Sequence, residues 1–333
     1  MGTEENSVSL IIPHSHSDEQ LNILCEGIPL WNQYPKEILI IGSSKTKIIL
    51  NNNFEKFCED NNIILKTIYG EELYPGQARN KGILLATNPI LAFLDVGTLP
   101  TNEWLSSGLK LLEISKVKGV WGATKYLTNN NKQKIIRAAT YGSLPLRTLP
   151  GSILHKEIFN TCGLLVESVR AGEDGDWMRR VGLHNLKMEE SKEILSYIGL
   201  FEATYWNLIK KWYRNYLSSS NLSYIRTHKD WYFYVLSIVA IIISFNWNWL
   251  AAEKTIVTYS GSLYYIPHIT KISVLIIIFI YVAARGFVIP LRKGTNLFFL
   301  LPMNFIKVIF LSILLDAVKI LAFIKAKFNK NIA

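Results

Sequence analysis

Residues 1–200 consist of short, continuous apolar runs that alternate with segments in which apolar residues recur every three or four positions. The apolar runs cover residues 8–12, 37–41, 63–67 and 89–95. The segments of helical spacing between them cover residues 20–31, 54–61 and 77–86. A run without polar alternation is buried on both faces of its strand, which is typical of a parallel sheet covered by helices. The sequence therefore predicts an α/β fold with a mostly parallel sheet flanked by helices.

Turn-forming or polar residues stand where three of these strands should end. Pro13 and His14 follow the first run, and Ser43 follows the second run in a Gly-Ser turn. Asp95 closes the fourth run. Because ligands bind at the carboxyl ends of the strands in parallel α/β sheets, we expect these residues to line a ligand pocket.

Residues 171–180 contain three acids within four positions, Glu173, Asp174 and Asp176, flanked by glycines that let the backbone turn tightly. Carboxylates this close repel one another unless a substrate, a metal or a cationic neighbour uses them. A solvated acidic turn is the simple alternative, but Trp177 follows the acids directly. A flat apolar face beside carboxylates commonly holds a sugar, so the segment predicts the rim of a sugar-binding pocket.

The chain combines a net charge of +10 with 49% hydrophobic residues over 333 positions. This combination favours an anionic membrane surface over nucleic acid as a partner, because nucleic-acid-binding proteins normally carry a basic stripe on a soluble fold and none is visible here. The three cysteines, Cys25, Cys58 and Cys162, are far apart and lack zinc spacing. They predict small buried apolar side chains in a reducing compartment.

Two C-terminal runs are apolar enough to cross a membrane. Residues 231–250 form an almost uninterrupted run with aromatic ends, and residues 272–289 form a second run that contains Arg285. At about 1.5 Å per residue, each is long enough to span the bilayer core. Arg285 lies near the end of its run, where a long cationic side chain reaches the interface.

A third apolar run, residues 297–324, contains Lys307, Asp316 and Lys319. Charged residues are costly inside a spanning helix. An interfacial helix or a helix packed in a bundle is therefore nearly as well supported as a third crossing.

The basic residues predict the orientation. Cations are concentrated before the first run and after the second, at Lys210, Lys211, Arg214, Arg226, Lys229, Arg292 and Lys293. The connection between the runs carries mainly Lys254 and Lys271. Since cytoplasmic loops are enriched in lysine and arginine, we expect a multi-pass membrane protein whose N-terminal domain is cytoplasmic.

Three regions follow from these patterns. Residues 1–200 form the α/β domain, residues 201–230 an amphipathic interfacial linker, and residues 231–333 a membrane region with two or three apolar helices. The terminal Lys325, Lys327 and Lys330 also prefer the inside of the cell. This preference favours two full crossings with the last helix on or in the inner leaflet, and a third crossing is the alternative.

Five motifs occur in the order and spacing of the family-2 glycosyltransferases. They lie at residues 8–13, 38–44, 78–82, 92–95 and 172–174. Each motif alone is weak, but the ordered set is specific, and the chain resembles this family over residues 7–190. The resemblance implies a nucleotide-sugar enzyme with the GT-A fold, which is Rossmann-like, and the apolar C-terminal region is similar to that of many members.

For the donor, the resemblance implies roles at the strand ends. Pro13, His14 and Ser43 match the segments that hold the base of the nucleotide. Arg79 matches an arginine that reaches the base or the diphosphate. Asp95 matches the first acid of an Asp-x-Asp element, which lies beside the ribose and the metal.

For the acceptor, the resemblance implies roles within the acidic segment. Asp174 matches the general base that deprotonates the incoming hydroxyl, and Glu173 would tune or orient it. Trp177 would offer a stacking face to the acceptor. Arg180 would hold either a phosphate or the loop itself.

Gly151 and Ser152 resemble the acceptor-side segment of the family, in which a small residue admits the substrate. A plain turn is the alternative interpretation of these two residues. Since the resemblance and the apolar tail occur together, the expected acceptor is a lipid-linked or growing glycan at the membrane.

Two positions depart from the family pattern. Gly42 and Ser43 stand where an acidic pair is usual, which changes the mode of base recognition. Gly97 stands where the second acid of the Asp-x-Asp element is expected, which removes one metal-contacting carboxylate. A divalent cation, Mg2+ or Mn2+, would then be held by Asp95, the donor diphosphate and water, because magnesium commonly uses few protein ligands.

The resemblance implies an inverting, membrane-attached glycosyltransferase, for which one base must reach the acceptor hydroxyl opposite the leaving nucleoside diphosphate. A processive polysaccharide synthase is the first alternative. The small number of apolar segments, and the lack of a glutamine in the basic-Trp sequence at residues 210–214, argue against it. An inactive membrane scaffold that keeps the fold is the second alternative, and it is opposed by the retention of Arg79, Asp95, Glu173 and Asp174.

Overall fold

One mixed sheet of eight strands runs through the part of the chain that the structure describes. This computed structural model describes residues 7–15, 18–198, 204–220, 222, 230–251 and 265–330. The strands are β1 (Val8–His14), β2 (Glu37–Gly42), β3 (Ile64–Ile68), β4 (Ile90–Phe93), β5 (Thr98–Leu99), β6 (Gly119–Tyr126), β7 (Leu146–His155) and β8 (Met188–Tyr197). Their order across the sheet is β3-β2-β1-β4-β7-β6-β8-β5.

The first half of the sheet is parallel. β1 pairs with β2 and with β4, and β2 pairs with β3, all in parallel orientation. The crossovers contain the helices α1 (Asp18–Gly27), α2 (Asn52–Asp60) and α3 (Pro75–Leu85). The predicted alternation of buried strands and helices is confirmed here, because β1, β2 and β4 bury almost every residue and need helices on both faces.

The second half of the sheet is mixed, so the sheet is less uniformly parallel than predicted, with four parallel and three antiparallel strand pairs. β7 pairs antiparallel with both β4 and β6, and β5 pairs antiparallel with β8. β6 and β8 are parallel. Antiparallel neighbours need no helical crossover between them. When one face of such a strand is partly solvated, polar residues interrupt its apolar run, so the sequence lacks the continuous apolar signal of a buried parallel strand. β8 is an example, because most of its residues are polar.

Helices cover both faces of the sheet and divide its core in two. The remaining helices of this part are α4 (Trp104–Ser115), α5 (Asn131–Ala139), α6 (Ile158–Cys162) and α7 (Glu173–Leu183). Leu10 and Ile12 of β1 belong to the core that contains Trp104, whereas Ile11 belongs to the core that contains Trp177. Successive side chains of a strand alternate between the two faces, so β1 supports both cores.

The C-terminal part is mainly helical where it is described. Its helices are α8 (Tyr205–Ser219), α9 (Asp230–Ala251), α10 (Ile269–Ala283), α11 (Ile289–Arg292), α12 (Leu297–Leu300) and α13 (Asn304–Lys330), with a π-helical turn, Ala284–Val288, between α10 and α11. Among the described residues, one continuous helix, Ile269–Arg292, is long and apolar enough to cross a membrane. A second apolar helix, Tyr234–Trp249, is shorter.

The helix α8 lies within the predicted interfacial linker. Tyr205 and Trp206 are exposed on it, whereas Leu208 is buried. The Lys210 ammonium lies 5.3 Å above the Trp206 ring. Three cations used to predict the orientation lie outside the described residues, namely Arg226, Lys229 and Lys254.

The helix α13 packs against the N-terminal part of the protein. Val308, Leu311 and Leu315 of α13 are buried in one cluster with Ile136 of α5 and Leu208 of α8. The third apolar run is therefore split between α12 and α13, and one face of α13 is covered by protein. This is the arrangement expected of the packed alternative to a third crossing.

Three of the charged residues inside the apolar runs, Arg285, Asp316 and Lys319, have partners within the protein. The Arg285 guanidinium donates a hydrogen bond to Asp316, and the Tyr281 hydroxyl donates to the same carboxylate at 2.8 Å. The sequence predicts that Arg285 reaches the interface, but in the structure it joins the π-helical turn to α13. The Lys319 ammonium lies 5.4 Å above the Tyr216 ring. Partners of this kind stabilise ionic groups among apolar helices.

Candidate active site

The acid cluster forms the first turn of α7. Glu173, Asp174 and Asp176 lie in this turn, and Gly172 precedes it with a φ of +89°. A residue with a side chain is strained in this left-handed conformation, whereas glycine is not. The N-terminus of a helix carries partial positive charge, which favours carboxylates in the first turn. The predicted tight turn beside the acids is thus confirmed, and it begins a helix.

Arg79 links the acid cluster to the end of β4. Its Nη1 donates a hydrogen bond to Glu173 Oε1 at 2.6 Å, and its Nη2 donates to Asp95 Oδ1 at 2.8 Å. The Arg79 and Glu173 side chains are each 6% exposed. Burial disfavours the charged guanidinium, but the neighbouring carboxylates, Asp95 foremost, outweigh it and raise the pKa of Arg79. Arg79 therefore holds two acids here, whereas the sequence predicts that it reaches the base or the diphosphate.

Glu173 and Asp174 have different surroundings. Burial raises the pKa of Glu173, and the charge of Asp174 adds to this effect while the charge of Arg79 opposes it. The Glu173 Oε2 atom is buried without a hydrogen-bond partner among the described residues. Asp174 is half-buried, and its Oδ1 accepts a hydrogen bond from the Gly175 N–H at 2.7 Å. Asp174 is thus the more accessible acid, and Glu173 is the one fixed by Arg79.

The predicted donor-side residues lie at the carboxyl ends of parallel strands. His14 ends β1, and its carbonyl oxygen accepts a hydrogen bond from the Ser43 N–H at 2.7 Å. His14 is buried, and its Nε2 lies 3.2 Å from Asp18 Oδ1. Pro13 is half-buried in β1, and Asp95 follows β4, which is the neighbour of β1. The structure brings these residues to one edge of the sheet.

Trp177 points into the core. It is 0% exposed, and its ring stacks on Phe159 with 4.7 Å between the ring centroids. Its Nε1 donates a hydrogen bond to the Gly163 carbonyl oxygen at 2.9 Å. A side chain in this position offers no face to a sugar, so the predicted stacking role of Trp177 is wrong.

Arg180 fixes the loop that follows α6. Its guanidinium donates to Asp176 Oδ2 at 3.0 Å, to the Leu164 carbonyl oxygen at 2.7 Å and to the Cys162 carbonyl oxygen. Each of the three guanidinium nitrogens therefore has a partner within the protein. Of its two predicted roles, the structure supports that of a loop anchor over that of a phosphate ligand.

Gly151 and Ser152 lie inside the sheet. Both are buried in β7, where Gly151 has a φ of +88° and accepts a hydrogen bond from Trp104 Nε1 at 2.9 Å through its carbonyl oxygen. Ser152 Oγ accepts from the Gly122 N–H and donates to the Thr148 carbonyl oxygen, each at 2.9 Å. These contacts shape an irregular pairing of β6 with β7. The predicted acceptor-binding role of the two residues is therefore wrong.

Three tyrosines that the sequence patterns do not single out lie beside the acids. Tyr126 ends β6 and Tyr197 ends β8, and the two are paired in register. The ring centroids of Tyr126 and Tyr197 are 5.5 Å apart, and those of Tyr126 and Tyr141 are 4.5 Å apart. Burial and then the charge of Asp95 raise the pKa of Tyr197. No local signal marks this cluster, because strand register joins positions that are far apart in the chain.

Gly97 stands where a second acid is expected, and there is no space for a side chain. An added Cβ would lie 2.7 Å from the Ile198 carbonyl oxygen and 2.8 Å from Cε1 of Tyr197, closer than real Cβ contacts. The Gly97 carbonyl oxygen accepts a hydrogen bond from the Ile198 N–H at 2.8 Å, which holds the backbone here. The glycine is therefore required by its neighbours at the end of β8 and directly after it.

One carboxylate is available to a divalent cation at this position. Among the residues that the structure describes, no group of three or more His, Cys, Asp or Glu side chains is placed to hold a metal ion. The Asp95 side chain is 22% exposed, and its Oδ1 accepts from Arg79. Its second oxygen fits a cation that takes its other ligands from a diphosphate and water. The residues fit a weakly held cation and not a preformed metal centre.

The sequence matches no protein-family model and no curated protein. Two solved structures align with low scores. S. aureus TarS 1-349 in complex with UDP-GlcNAc has a TM-score of 0.42 and 11% identity over 91% of this chain and 90% of that chain. GalNAc-T7 with UDP, GalNAc and Mn2+ has a TM-score of 0.45 and 14% identity over 59% of this chain and 44% of that chain. Neither score carries an argument about this protein.

A third solved structure is more similar in fold. It is the mannosyltransferase PcManGT from Pyrobaculum calidifontis in complex with GDP-Man and Mn2+, with a TM-score of 0.53. The alignment has 13% identity and covers 97% of this chain and 87% of that chain. At this identity the likeness shows the fold alone. This chain therefore shares the fold of that structure, a mixed α/β sheet flanked by helices.

Proposed function

We propose that this protein is an inverting glycosyltransferase of the family-2 type, which moves a sugar from a nucleotide-sugar donor to a lipid-linked or growing glycan acceptor at the membrane. The observation that carries the proposal is the link from Asp95 through Arg79 to Glu173, which holds the donor-side acid beside the acid cluster that contains Asp174. This link lies at the carboxyl ends of parallel strands in a glycosyltransferase fold, where ligands bind in sheets of this kind.

Asp174 is the general base of the proposed reaction. It takes the proton of the acceptor hydroxyl while the acceptor oxygen forms a bond to the anomeric carbon and the bond from that carbon to the donor diphosphate breaks. Because the acceptor enters opposite the leaving group, the configuration at this carbon is inverted. Arg79 keeps Glu173 in place through a charged hydrogen bond, which fixes the first turn of α7 and thus the position of Asp174.

The donor lies against the strand ends in this proposal. Pro13, His14 and Ser43 contact the base of the nucleotide. The leaving diphosphate gains negative charge, which a divalent cation, Mg2+ or Mn2+, stabilises when bound, with Asp95 as its protein ligand. The mannosyltransferase of similar fold was solved with GDP-Man and Mn2+. This supports a nucleotide-sugar donor and a divalent cation in the proposed site. Since one carboxylate holds a cation weakly, we expect the transfer rate to rise with added cation up to concentrations on the order of 1 mM.

An exposed apolar stripe on α13 supports action at a membrane. Its members are between 47% and 69% exposed, namely Ile306, Phe310, Ile313, Leu321, Ile324 and Phe328. They lie on the side of α13 away from the buried Val308 and Leu311, at helical spacing. A helix with one face on protein and an apolar face outward is suited to lie in the lipid interface. Together with the helix Ile269–Arg292, this stripe supports membrane lipid as a partner of the enzyme.

We expect the α/β domain to be cytoplasmic and the connection between the two apolar runs to be external. Ser260 lies in that connection and outside the described residues, and Ser260→Cys should react with a membrane-impermeant thiol reagent in intact cells. The native cysteines are buried and give little background. The matched control is Lys110→Cys on the exposed side of α4, which should react only after permeabilisation. The opposite labelling pattern would reverse the proposed orientation.

Donor turnover separates this enzyme from an inactive scaffold. Purified protein is given a panel of UDP-, GDP- and dTDP-sugars, and the release of nucleoside diphosphate is measured. We expect turnover of one class of donor, with an apparent affinity at least about 10-fold lower in Asp95→Ala, because a charged contact is lost. Failure of the whole panel to turn over, with and without a membrane extract as the source of acceptor, would favour the scaffold.

A further inference from the structure

We propose that Tyr197 is a donor-binding residue that stands in the place of the second acid of the Asp-x-Asp element and donates a hydrogen bond from its hydroxyl to the donor diphosphate. This inference rests on the proposed function, because it concerns the same site. Its consequence is that nucleotide binding depends less on a divalent cation than it would with two carboxylates.

The Tyr197 ring fills the space that a second acid would use. Gly97 directly precedes β5, and Thr98 of β5 pairs with Tyr197 at the end of β8. An added Cβ at residue 97 would lie 2.8 Å from Cε1 and 3.3 Å from Cδ1 of the Tyr197 ring. The ring therefore occupies part of the space that a side chain at residue 97 would need, and the Ile198 carbonyl oxygen, 2.7 Å from the same Cβ position, closes the rest.

Tyr197 is half-buried, and its hydroxyl lies within the electrostatic influence of Asp95. Its ring packs on Tyr126, which fixes the position of the ring. The hydroxyl makes no hydrogen bond with any residue in the described ranges. Burial and the charge of Asp95 raise the pKa of Tyr197, so the phenol keeps its proton and remains a hydrogen-bond donor.

The chemistry of this position favours a diphosphate. A second carboxylate would repel the diphosphate unless a divalent cation lay between them. A neutral phenol donates directly to a phosphate oxygen, and hydrogen bonds to charged groups are the stronger ones. Arg79 also offsets the charge of Asp95. The phenol therefore supplies a contact to the donor where a second carboxylate would require a metal ion.

Calorimetric titration with UDP and GDP in excess chelator tests the proposal. Tyr197→Phe keeps the ring and removes only the hydroxyl, so thermal unfolding should be unchanged. The affinity for the nucleotide that binds should fall about 10-fold, as expected for one lost hydrogen bond to a charged group. Unchanged affinity in Tyr197→Phe would overturn the proposal. If the unaltered protein binds neither nucleotide, with or without Mn2+, the proposed function itself falls.

Discussion

Asp174→Asn is expected to lower sugar transfer by at least about 100-fold, which is the usual scale for the loss of a general base. The amide has nearly the size of the carboxylate but does not take up the proton of the acceptor hydroxyl. Its oxygen can still accept the hydrogen bond from the Gly175 N–H, so the first turn of α7 should be unchanged. The initial rate of transfer measures the effect, with nucleotide affinity and thermal unfolding recorded on the same preparation.

Asp176→Asn is the matched control for this experiment. Asp176 lies in the same turn of α7, but it is buried and accepts a hydrogen bond from Arg180 at 3.0 Å. The same chemical change there should leave transfer close to that of the unaltered protein. An equally large loss of transfer in both variants would mean that the acid cluster affects transfer through the stability of the fold or through its total charge, and not through Asp174 as a base. Near-normal transfer in Asp174→Asn would remove this residue from the mechanism.

Arg79→Met is expected to destabilise the fold and to abolish transfer. The change leaves Glu173 buried without the guanidinium that lies 2.6 Å away, and Asp95 loses its contact at 2.8 Å. Removal of one partner from a buried ion pair typically costs about 3–5 kcal/mol of unfolding free energy. Denaturant unfolding measures this loss. Transfer should be lost as well, because the two acids are no longer held together.

A second substitution separates the lost charge from the lost packing. Glu173→Gln in the Arg79→Met background removes the unpaired buried charge with little change in volume. It should restore part of the unfolding free energy, while transfer stays lost. If the double variant is no more stable than Arg79→Met, the destabilisation comes from the packing of the arginine side chain and the ion pair has little energetic importance.

The parallel half of the sheet could be predicted because its signal is local. β1, β2 and β4 are buried on both faces, so each is an uninterrupted apolar run. The mixed half could not be predicted in this way, since β8 is polar over most of its length. Its place between β6 and β5 depends on pairing with strands that are far away in the chain.

The buried face of α7 explains which residues of the acidic segment lie at the site. Glu173, Asp176, Trp177 and Val181 are the buried positions, at the spacing of one helix face. Trp177 therefore continues the face that Glu173 begins, and it enters the core one turn later. A tryptophan after acids fits both a sugar pocket and a core position, so the sequence pattern alone does not separate them. Asp174 lies off this face and keeps partial exposure.

The departure at Gly97 is visible in the sequence, but its cause is not. From the sequence alone, the glycine indicates only the loss of a metal ligand. The structure adds that the Ile198 carbonyl oxygen and the ring of Tyr197 occupy the space, through the pairing of β5 with β8. A contact of this kind depends on strand register and side-chain direction, neither of which leaves a pattern in a single sequence.

The most direct test of the central claim is sugar transfer from labelled donors by membranes that contain this protein. Membranes with the unaltered protein and membranes with equal amounts of Asp174→Asn are each given UDP-, GDP- and dTDP-sugars, and the label in the lipid and glycan fractions is counted. The proposed mechanism predicts that one class of donor labels a product in the first membranes and that Asp174→Asn removes at least about 99% of this label. Equal labelling by both membranes, or no labelled product from any donor, would contradict it.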